Sequence, residues 1–364
     1  MIWAGLRDFA QGFLGRGEAT ITVPSFDGAL KPNQALERCE TLCTLDAPED
    51  IAIVGGELLV ADGRRLLRAD DPQTPLREFE APITALCGLA NGALAVALNG
   101  REIRIYDKPD AAAPSATISG SGMRAVNALC PAGPGALCAS DGSAMRDARD
   151  WTWDVMERGR SGRLLRIDIA AKRVEGLASG LRYAFGVAAM GDAVLVSESW
   201  RHRLVAHGAS GAKVVLAHLP VYPSRIAPAS DGGWWLTCFT ARTLLVEFVL
   251  REKAYRRRMM AEIAPEHWIA PRLVSGASFF EPMQGAHLKT MGVVKPWAPP
   301  RSYGLVIRLD ASGKPLYSLH SRFDGVNHGI VAAAERDGAL YLIAKGPRRL
   351  LRLPVEGLAR DYQP

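Results

Sequence analysis

Apolar and polar residues alternate along most of this chain over short runs, and the runs are punctuated by Gly, Asp and Asn, a pattern that predicts strands joined by tight turns. One unit returns: a short strand, a turn, a second apolar strand, a second turn, and a third strand rich in Arg and Leu. Its cleanest copy is "EDIAIVGGELLVADGRRLLRAD" from Glu49, and "TALCGLANGALAVALNGREIRIYD" follows from Thr84. "NALCPAGPGALCASDGS" from Asn127 resumes after an insertion as "SGRLLRIDIAAKRVEGL". "FGVAAMGDAVLVSESWRHRLVAH" from Phe185, "SRIAPASDGGWWLTCFTARTLLVEF" from Ser224 and "HGIVAAAERDGALYLIAKGPRRLLRL" from His328 complete the series. Each copy suits one blade of an antiparallel propeller, so the repeat predicts an all-β fold, a six-bladed β-propeller. The regular order "G-x-L-x-V/L…R-L-L-R" argues against unrelated hairpins in a sandwich.

In such a fold each blade begins with its innermost strand, and the residues opening those strands meet at one end of a central channel. Aligned by repeat they are Glu49, Thr84, Asn127, Phe185, Ser224 and His328, with Asp50 and Arg225 one step further along their strands. This ring gathers residues distant in the chain without choosing any for its chemistry, which makes it the leading candidate site.

Two kinds of segment break the repeat. In the first, Ile2, Leu6, Phe9 and Phe13, with Trp3 and Leu14 alongside, recur at helical spacing. Residues 1–44 therefore read as an N-terminal helical extension, docked on the body or lying in a membrane or partner surface through residues 2–14, and 45–364 as the propeller. The second kind is insertion: helical or irregular stretches at 144–160 in blade 3 and 251–301 in blade 5, whose Trp151, Trp153, Trp297, Pro299 and Pro300 suit an apolar lid. Trp200, Trp234, Trp235 and Tyr341 read as blade packing.

Composition narrows the partners. With 48% hydrophobic and 23% charged residues in 364, the chain is folded throughout, and 38 acidic residues interspersed with 44 basic ones make a nucleic-acid partner unsupported despite a formal charge of +6. The basic run Arg251, Lys253, Arg256, Arg257 and Arg258 reads as a solvated helix face. None of the six cysteines forms a CxxC pair; Cys39 with Cys43, or Cys130 with Cys138, are close enough to bridge, but without an export signal reduced thiols and a cytoplasmic location are expected, membrane association through residues 2–14 remaining open. No Gly-x-Ser-x-Gly elbow and no phosphate-binding glycine loop is present.

The connecting segments resemble the strictosidine synthase-like family, part of the six-bladed superfamily that also holds paraoxonases, gluconolactonases and diisopropyl-fluorophosphatase. "APEDIAI" at 47, "VNAL" at 126 before "SDGS" at 140, "SGRLLRID" at 161, "ESWRHRLV" at 198, "LPVYPSRI" at 219 and "RSYGLVIRLDASGKPLYSLH" ahead of "ERDGALYL" are similar to family segments in the same order. The resemblance covers about residues 45 to 355 and implies a pocket at the top of the channel. In the hydrolytic branch it implies a calcium ion held by a Glu of blade one, Asn of blades three and four, and Asp or Asn of blade five, an oxygen-rich cage acting as a Lewis acid. Glu49 and Asn127 match; Phe185 stands where the family has Asn, and Ser224 and Arg225 stand where it has Asp and Asn. A cation in place of an anionic ligand repels a metal by several kcal/mol at about 4 Å. No cofactor is therefore expected, calcium remaining open only if Glu49 and Asn127 hold an ion another way. The glutamate that the plant synthases use falls near Val331, so carbon-nitrogen bond formation is not supported, and Glu335 reads as a strand-end residue.

What remains is His328 as general base, oriented by Glu49 or Asp50, with Arg225 holding an oxyanion or a substrate carboxylate, and Ser224, Asn127, Phe185 and Thr84 lining the pocket. A lone His is equally a structural hydrogen-bonder, and Arg225 equally an ion pair fixing the channel wall. Two functions follow: a hydrolase (esterase or lactonase) of small esters or lactones, anionic or amphipathic, without the full calcium cage; and a non-catalytic propeller binding a small molecule or partner.

Overall fold

The repeat copies mark six four-stranded antiparallel sheets, except that residues 244–248, read as the third strand of the fifth copy, are helical and Gly304–Leu309 takes their place. The computed structural model describes residues 23–120, 122–274, 289–290, 293–294 and 302–364. Blade 1 runs from its inner strand Pro48–Val54 through Glu57–Asp62 and Arg65–Arg68 to Asp71–Glu78; blade 2 takes Ile83–Gly88, Leu94–Leu98, Glu102–Tyr106 and Ala116–Ile118. Blade 3 uses Val126–Pro131, Ala136–Asp141, Gly162–Asp168 and Arg173–Leu181, and blade 4 Ala184–Met190, Ala193–Glu198, Arg203–Gly208 and Gly211–Leu216. Blade 5 holds Val221–Pro228, Trp234–Ala241, Gly304–Leu309 and Pro315–Ser321. Blade 6 holds Ile330–Arg336, Ala339–Ala344 and Arg349–Pro354, with Glu40–Thr44 as its outermost strand. Each inner strand contacts the next, and Ile330–Arg336 returns to Pro48–Val54, closing the circle.

The fourth strand of blade 6 comes from residues assigned on the repeat to the N-terminal extension. Glu40 pairs with Arg352 and Thr44 with Arg349, so the ring is shut by hydrogen bonds between the two ends of the propeller. A lone strand separated from its blade by the whole ring carries no repeat signature, which is why the propeller's start read as residue 45.

Burial follows distance from the axis. Leu94–Leu98 is buried at every position because it lies between neighbouring sheets, whereas the outer strand Arg173–Leu181 is largely exposed. The recurring Arg of "R-L-L-R" also has a structural cause. Asp62, Asp141 and Glu198 end the second strands of blades 1, 3 and 4, fully buried, and each accepts a backbone N–H just ahead of the blade's inner strand: Ala47 (2.6 Å), Ala125 (2.8 Å) and Arg182 (3.2 Å). Each is also paired with the arginine at the start of the third strand: Arg65, Arg163 and Arg203. A buried carboxylate needs partners of this kind, and the pairing fixes three strands of a blade at one corner.

Residues 23–38 cover the outer edge of blade 5. Asn33 donates to the carbonyl of Ser318 (2.8 Å) and accepts from the His320 N–H (3.0 Å), imitating a further strand on an otherwise open edge. Glu37 Oε1 accepts from Ser321 Oγ (2.5 Å), Asn327 N (3.0 Å) and Val326 N (3.1 Å).

The two insertions emerge between second and third strands and meet over one end of the channel. The first carries α1, Trp151–Glu157; the second carries α2, Leu244–Arg251, capped by the Thr243 side chain, and α3, Lys253–Glu262. Val155 and Met156 of α1 pack in the same core as Val249, Met259, Trp268 and Ala270 of the second insertion and as Tyr222, Phe239 and Val331 of the blades. Trp153 meets Trp268 edge to face at 4.5 Å. In the basic run Arg251, Lys253, Arg257 and Arg258 are exposed, and Arg256 turns inward. All six cysteines are free thiols, Cys130 facing Cys138 across the first two strands of blade 3. The amphipathic stretch 2–14 and Trp297, Pro299 and Pro300 lie outside the described residues.

Glu37→Ala leaves two backbone N–H groups and a buried hydroxyl without their acceptor, and chemical denaturation is expected to show a loss of about 2 kcal/mol, with Glu37→Gln recovering part. Wild-type stability in the alanine variant contradicts this role of the belt.

Candidate active site at the bulge ring

Every inner strand breaks register with its neighbour at the matching place: between Pro48 and Asp50, Ile83 and Ala85, Val126 and Ala128, Ala184 and Val187, Pro223 and Ile226, and Ile330 and Ala332. The residues released are Glu49, Thr84, Asn127, Phe185 with Gly186, Ser224 with Arg225, and Val331. A bulge takes its residue out of the ladder and re-aims side chain or carbonyl. Gly186 is required here, because a Cβ would lie 2.4 Å from the Ser224 carbonyl oxygen.

Arg225 occupies the centre and is 5% exposed. Its Nη1 donates to the carbonyls of Glu49 (2.9 Å) and Val331 (3.3 Å), and its Nη2 to the Thr84 carbonyl (2.8 Å) and Glu49 Oε1 (3.3 Å). Nε lies 3.2 Å from Asp50 Oδ1 as an ion pair, and the guanidinium carbon is 5.2 Å from the centre of the Phe185 ring. One side chain of blade 5 thus touches blades 6, 1, 2 and 4. Lys345, just past the second strand of blade 6, holds the other Glu49 oxygen. Asp50 lies deeper, accepting from Leu86 N (2.8 Å) and Ile51 N (2.9 Å).

Two cations therefore face two carboxylates, which titrate apart. Burial pushes Asp50 up to about 6, against the pull of Arg225 and its two N–H donors. For Glu49 burial works the same way, but Lys345 and Arg225 outweigh it and hold the carboxyl below its ordinary range. Glu49 and Lys345 are also the partly open members, their side chains 23% and 30% exposed.

The other sequence candidates fall differently. Asn127 is buried and donates to the Ala184 carbonyl (3.0 Å). The Thr84 hydroxyl accepts from Gly100 N (3.1 Å), leaving its carbonyl as the group that meets the site. Ser224 is fully buried, 2.8 Å from Thr237 Oγ1 and donating to the Ile330 carbonyl, so its hydroxyl ties blade 5 to blade 6. Phe185 lies under the guanidinium and beside Phe239, 6.0 Å between ring centres.

His328 does not join the ring. The sixth bulge is at Val331, and Gly329, with φ of 68°, turns the chain between the two. The imidazole Nε2 donates to the Arg322 carbonyl (2.8 Å), and Nδ1 accepts from Ser302 Oγ (2.7 Å). Burial keeps it neutral, lowering its pKa below the ordinary histidine range. Both nitrogens are thus spent away from Glu49 and Asp50.

Several residues at the site went unnoticed in the sequence. Lys345 takes the turn position occupied by Gly63, Asn99, Gly142 and Ser199 in other copies, and a charge there was its available signal. Tyr183, buried with φ of 59°, stacks on Trp200 at 4.4 Å. Trp200 belongs to the roof rather than to blade packing alone: it donates to Asp154 Oδ1 of α1 (2.7 Å) and lies near Trp151, which meets Phe239 at 5.4 Å.

A calcium ion does not fit these donors. Both Glu49 oxygens are held by cations, the carbonyls of Glu49, Thr84 and Val331 accept from Arg225, and the aromatic ring of Phe185 stands at the blade-four position. Among the described residues no cluster of three or more His, Cys, Asp or Glu could hold a metal ion.

No protein-family profile matches the chain. The human adipocyte plasma membrane-associated protein is 28% identical across 92% of this chain and 82% of its own length. The Arabidopsis thaliana protein strictosidine synthase-like 10 is 26% identical over 56% of this chain and 50% of its own length. The chain is a six-bladed propeller similar to these strictosidine synthase-like relatives. Among solved structures, a gluconolactonase from Xanthomonas campestris superposes with a TM-score of 0.55 at 15% identity, covering 88% of this chain and 91% of that one. That likeness extends to the fold alone.

Arg225→Ala leaves Glu49 and Asp50 buried without their shared cation and is expected to cost about 3–5 kcal/mol at pH 8. Arg225 stabilises the charged form of Asp50, so this part of its contribution is absent where the carboxyl is protonated and develops only as pH rises through about 6. Denaturation at pH 8 and pH 5 should show the smaller penalty at pH 5; equal penalties contradict the pairing.

Proposed function

We propose that this propeller hydrolyses small, amphipathic esters or lactones at the open edge of the Glu49–Lys345 pair, under the aromatic roof. The observation that carries the reading is that pair itself: a carboxylate and an ammonium in contact, both partly open, at the bulge ring. Glu49 takes a proton from water as the water oxygen adds to the carbonyl carbon. Lys345, with N–H donors beyond the one it gives Glu49, stabilises the oxyanion; the acyl C–O bond then breaks, and the proton passes to the departing alkoxide. Arg225 acts as a positioning residue, since its terminal nitrogens are already bonded to protein acceptors.

The electrostatics support one substrate class. A carboxyl held below its ordinary range is a weak base, which favours carbonyls with good leaving groups or ring strain over amides and simple alkyl esters. Charge balance between two cations and two carboxylates favours an uncharged reacting group, and Phe185, Trp151 and Trp200 favour an apolar or aromatic remainder. The pairing of both Glu49 oxygens also favours a second reading, a binding protein without turnover. The name of the animal relatives supports peripheral contact with a membrane; among the described residues no helix is long and apolar enough to cross one.

Aryl esters and lactones should be turned over equally with and without chelator, and Glu49→Gln and Lys345→Met should each lower kcat/KM about a hundredfold while the thermal unfolding profile stays cooperative. Turnover that chelator abolishes, or that both variants retain, contradicts the mechanism. Stabilisation by substrate analogues without turnover supports the binding reading instead.

A further inference from the structure

We infer that the outer face of α2 and α3 is the surface through which the protein rests on an anionic lipid bilayer. This builds on the peripheral contact read above and assigns it to a face. Val246 and Val249 of α2 are buried in the roof, while Leu244 and Phe248, one turn apart, are 62% and 49% exposed. In α3, Arg256 and Met259 turn inward and Tyr255 is 50% exposed, with Ile263 exposed just beyond the helix. Aliphatic and aromatic side chains left open together on two joined helices mark a contact surface.

The charges around them choose the partner. Arg251, Lys253, Arg257 and Arg258 are exposed on the same pair of helices. Of the described acids here, Glu247 is drawn inward to Arg242 (3.0 Å) and Tyr222 (3.4 Å), and Glu262 and Arg258 pair with each other (3.0 Å), which sets Arg251, Lys253 and Arg257 against Glu252 and Glu266. A face with open apolar groups and an excess of cations complements an anionic headgroup layer into which Leu, Phe and Tyr can dip. Its inner side packs against Trp268, Tyr222 and Val331, so the bilayer lies against the roofed end of the channel, where an amphipathic substrate enters.

Co-sedimentation of the full chain with vesicles of phosphatidylcholine alone, or mixed with phosphatidylglycerol, tests this. Binding is expected on the mixed vesicles and to weaken with salt; Phe248→Glu should lower it at least tenfold, and Lys253→Ala or Arg257→Ala about fivefold each, with circular dichroism unchanged. Parental binding by Phe248→Glu and Leu244→Glu, together with loss in a Phe9→Glu/Phe13→Glu variant, overturns the assignment while leaving a membrane contact in place. Equal binding to both vesicle types overturns the charge argument, and no binding to either overturns the contact as well.

Discussion

A guanidinium cannot remain charged inside a protein unless acceptors surround it, and here they come from four directions at once. Three are backbone carbonyls, free only because the inner strands of blades 1, 2 and 6 bulge where Arg225 arrives. The bulges and the arginine therefore depend on each other. Without the arginine the carbonyls of Glu49, Thr84 and Val331 face one another across a low-dielectric channel; without the bulges the arginine has no partners but two carboxylates.

This arrangement inverts the chemistry found at the rim of the blades. At the corners of blades 1, 3 and 4 a buried acid is the centre and an arginine comes in from the more exposed side. At the axis a buried cation is the centre, and the acid that answers it, Glu49, is more open to solvent than the guanidinium. Rim pairs only hold strands. The axial pair leaves an anionic oxygen and an ammonium at an opening, and such a pair can do chemistry.

The architecture was readable because each blade repeats both a hydrophobic pattern and a rim arginine, and five of the six bulge residues fell where the repeat put them. Asn127, Phe185 and Arg225 were found by alignment alone. The sixth copy misled because the loop from Arg322 to Gly329 lengthens its approach, so His328 took the aligned place of Val331 while its imidazole was consumed by Ser302 and the Arg322 carbonyl. Lys345 escaped because it lies on a turn, where a lysine reads as surface. Trp200 escaped because its partner, Asp154, comes from an insertion outside any repeat. The closing strand Glu40–Thr44 was hidden by distance: nothing local distinguishes a strand whose partner is more than three hundred residues away.

The roof couples these levels. Asp154 is buried, and burial raises its pKa, yet it accepts from the Trp200 indole, and that indole stacks on Tyr183, whose backbone is held in the left-handed region just before the inner strand of blade 4. A bulky residue in that conformation persists only where its surroundings over-determine it. The lid helix α1 is thus tied by one hydrogen bond and one ring stack to the strand that carries Phe185, the ring beneath the guanidinium. A ligand that separates Trp151 from Trp200 must disturb that chain of contacts. The roof and the charged floor are therefore joined by one continuous chain of contacts from Asp154 through Trp200 and Tyr183 to Phe185.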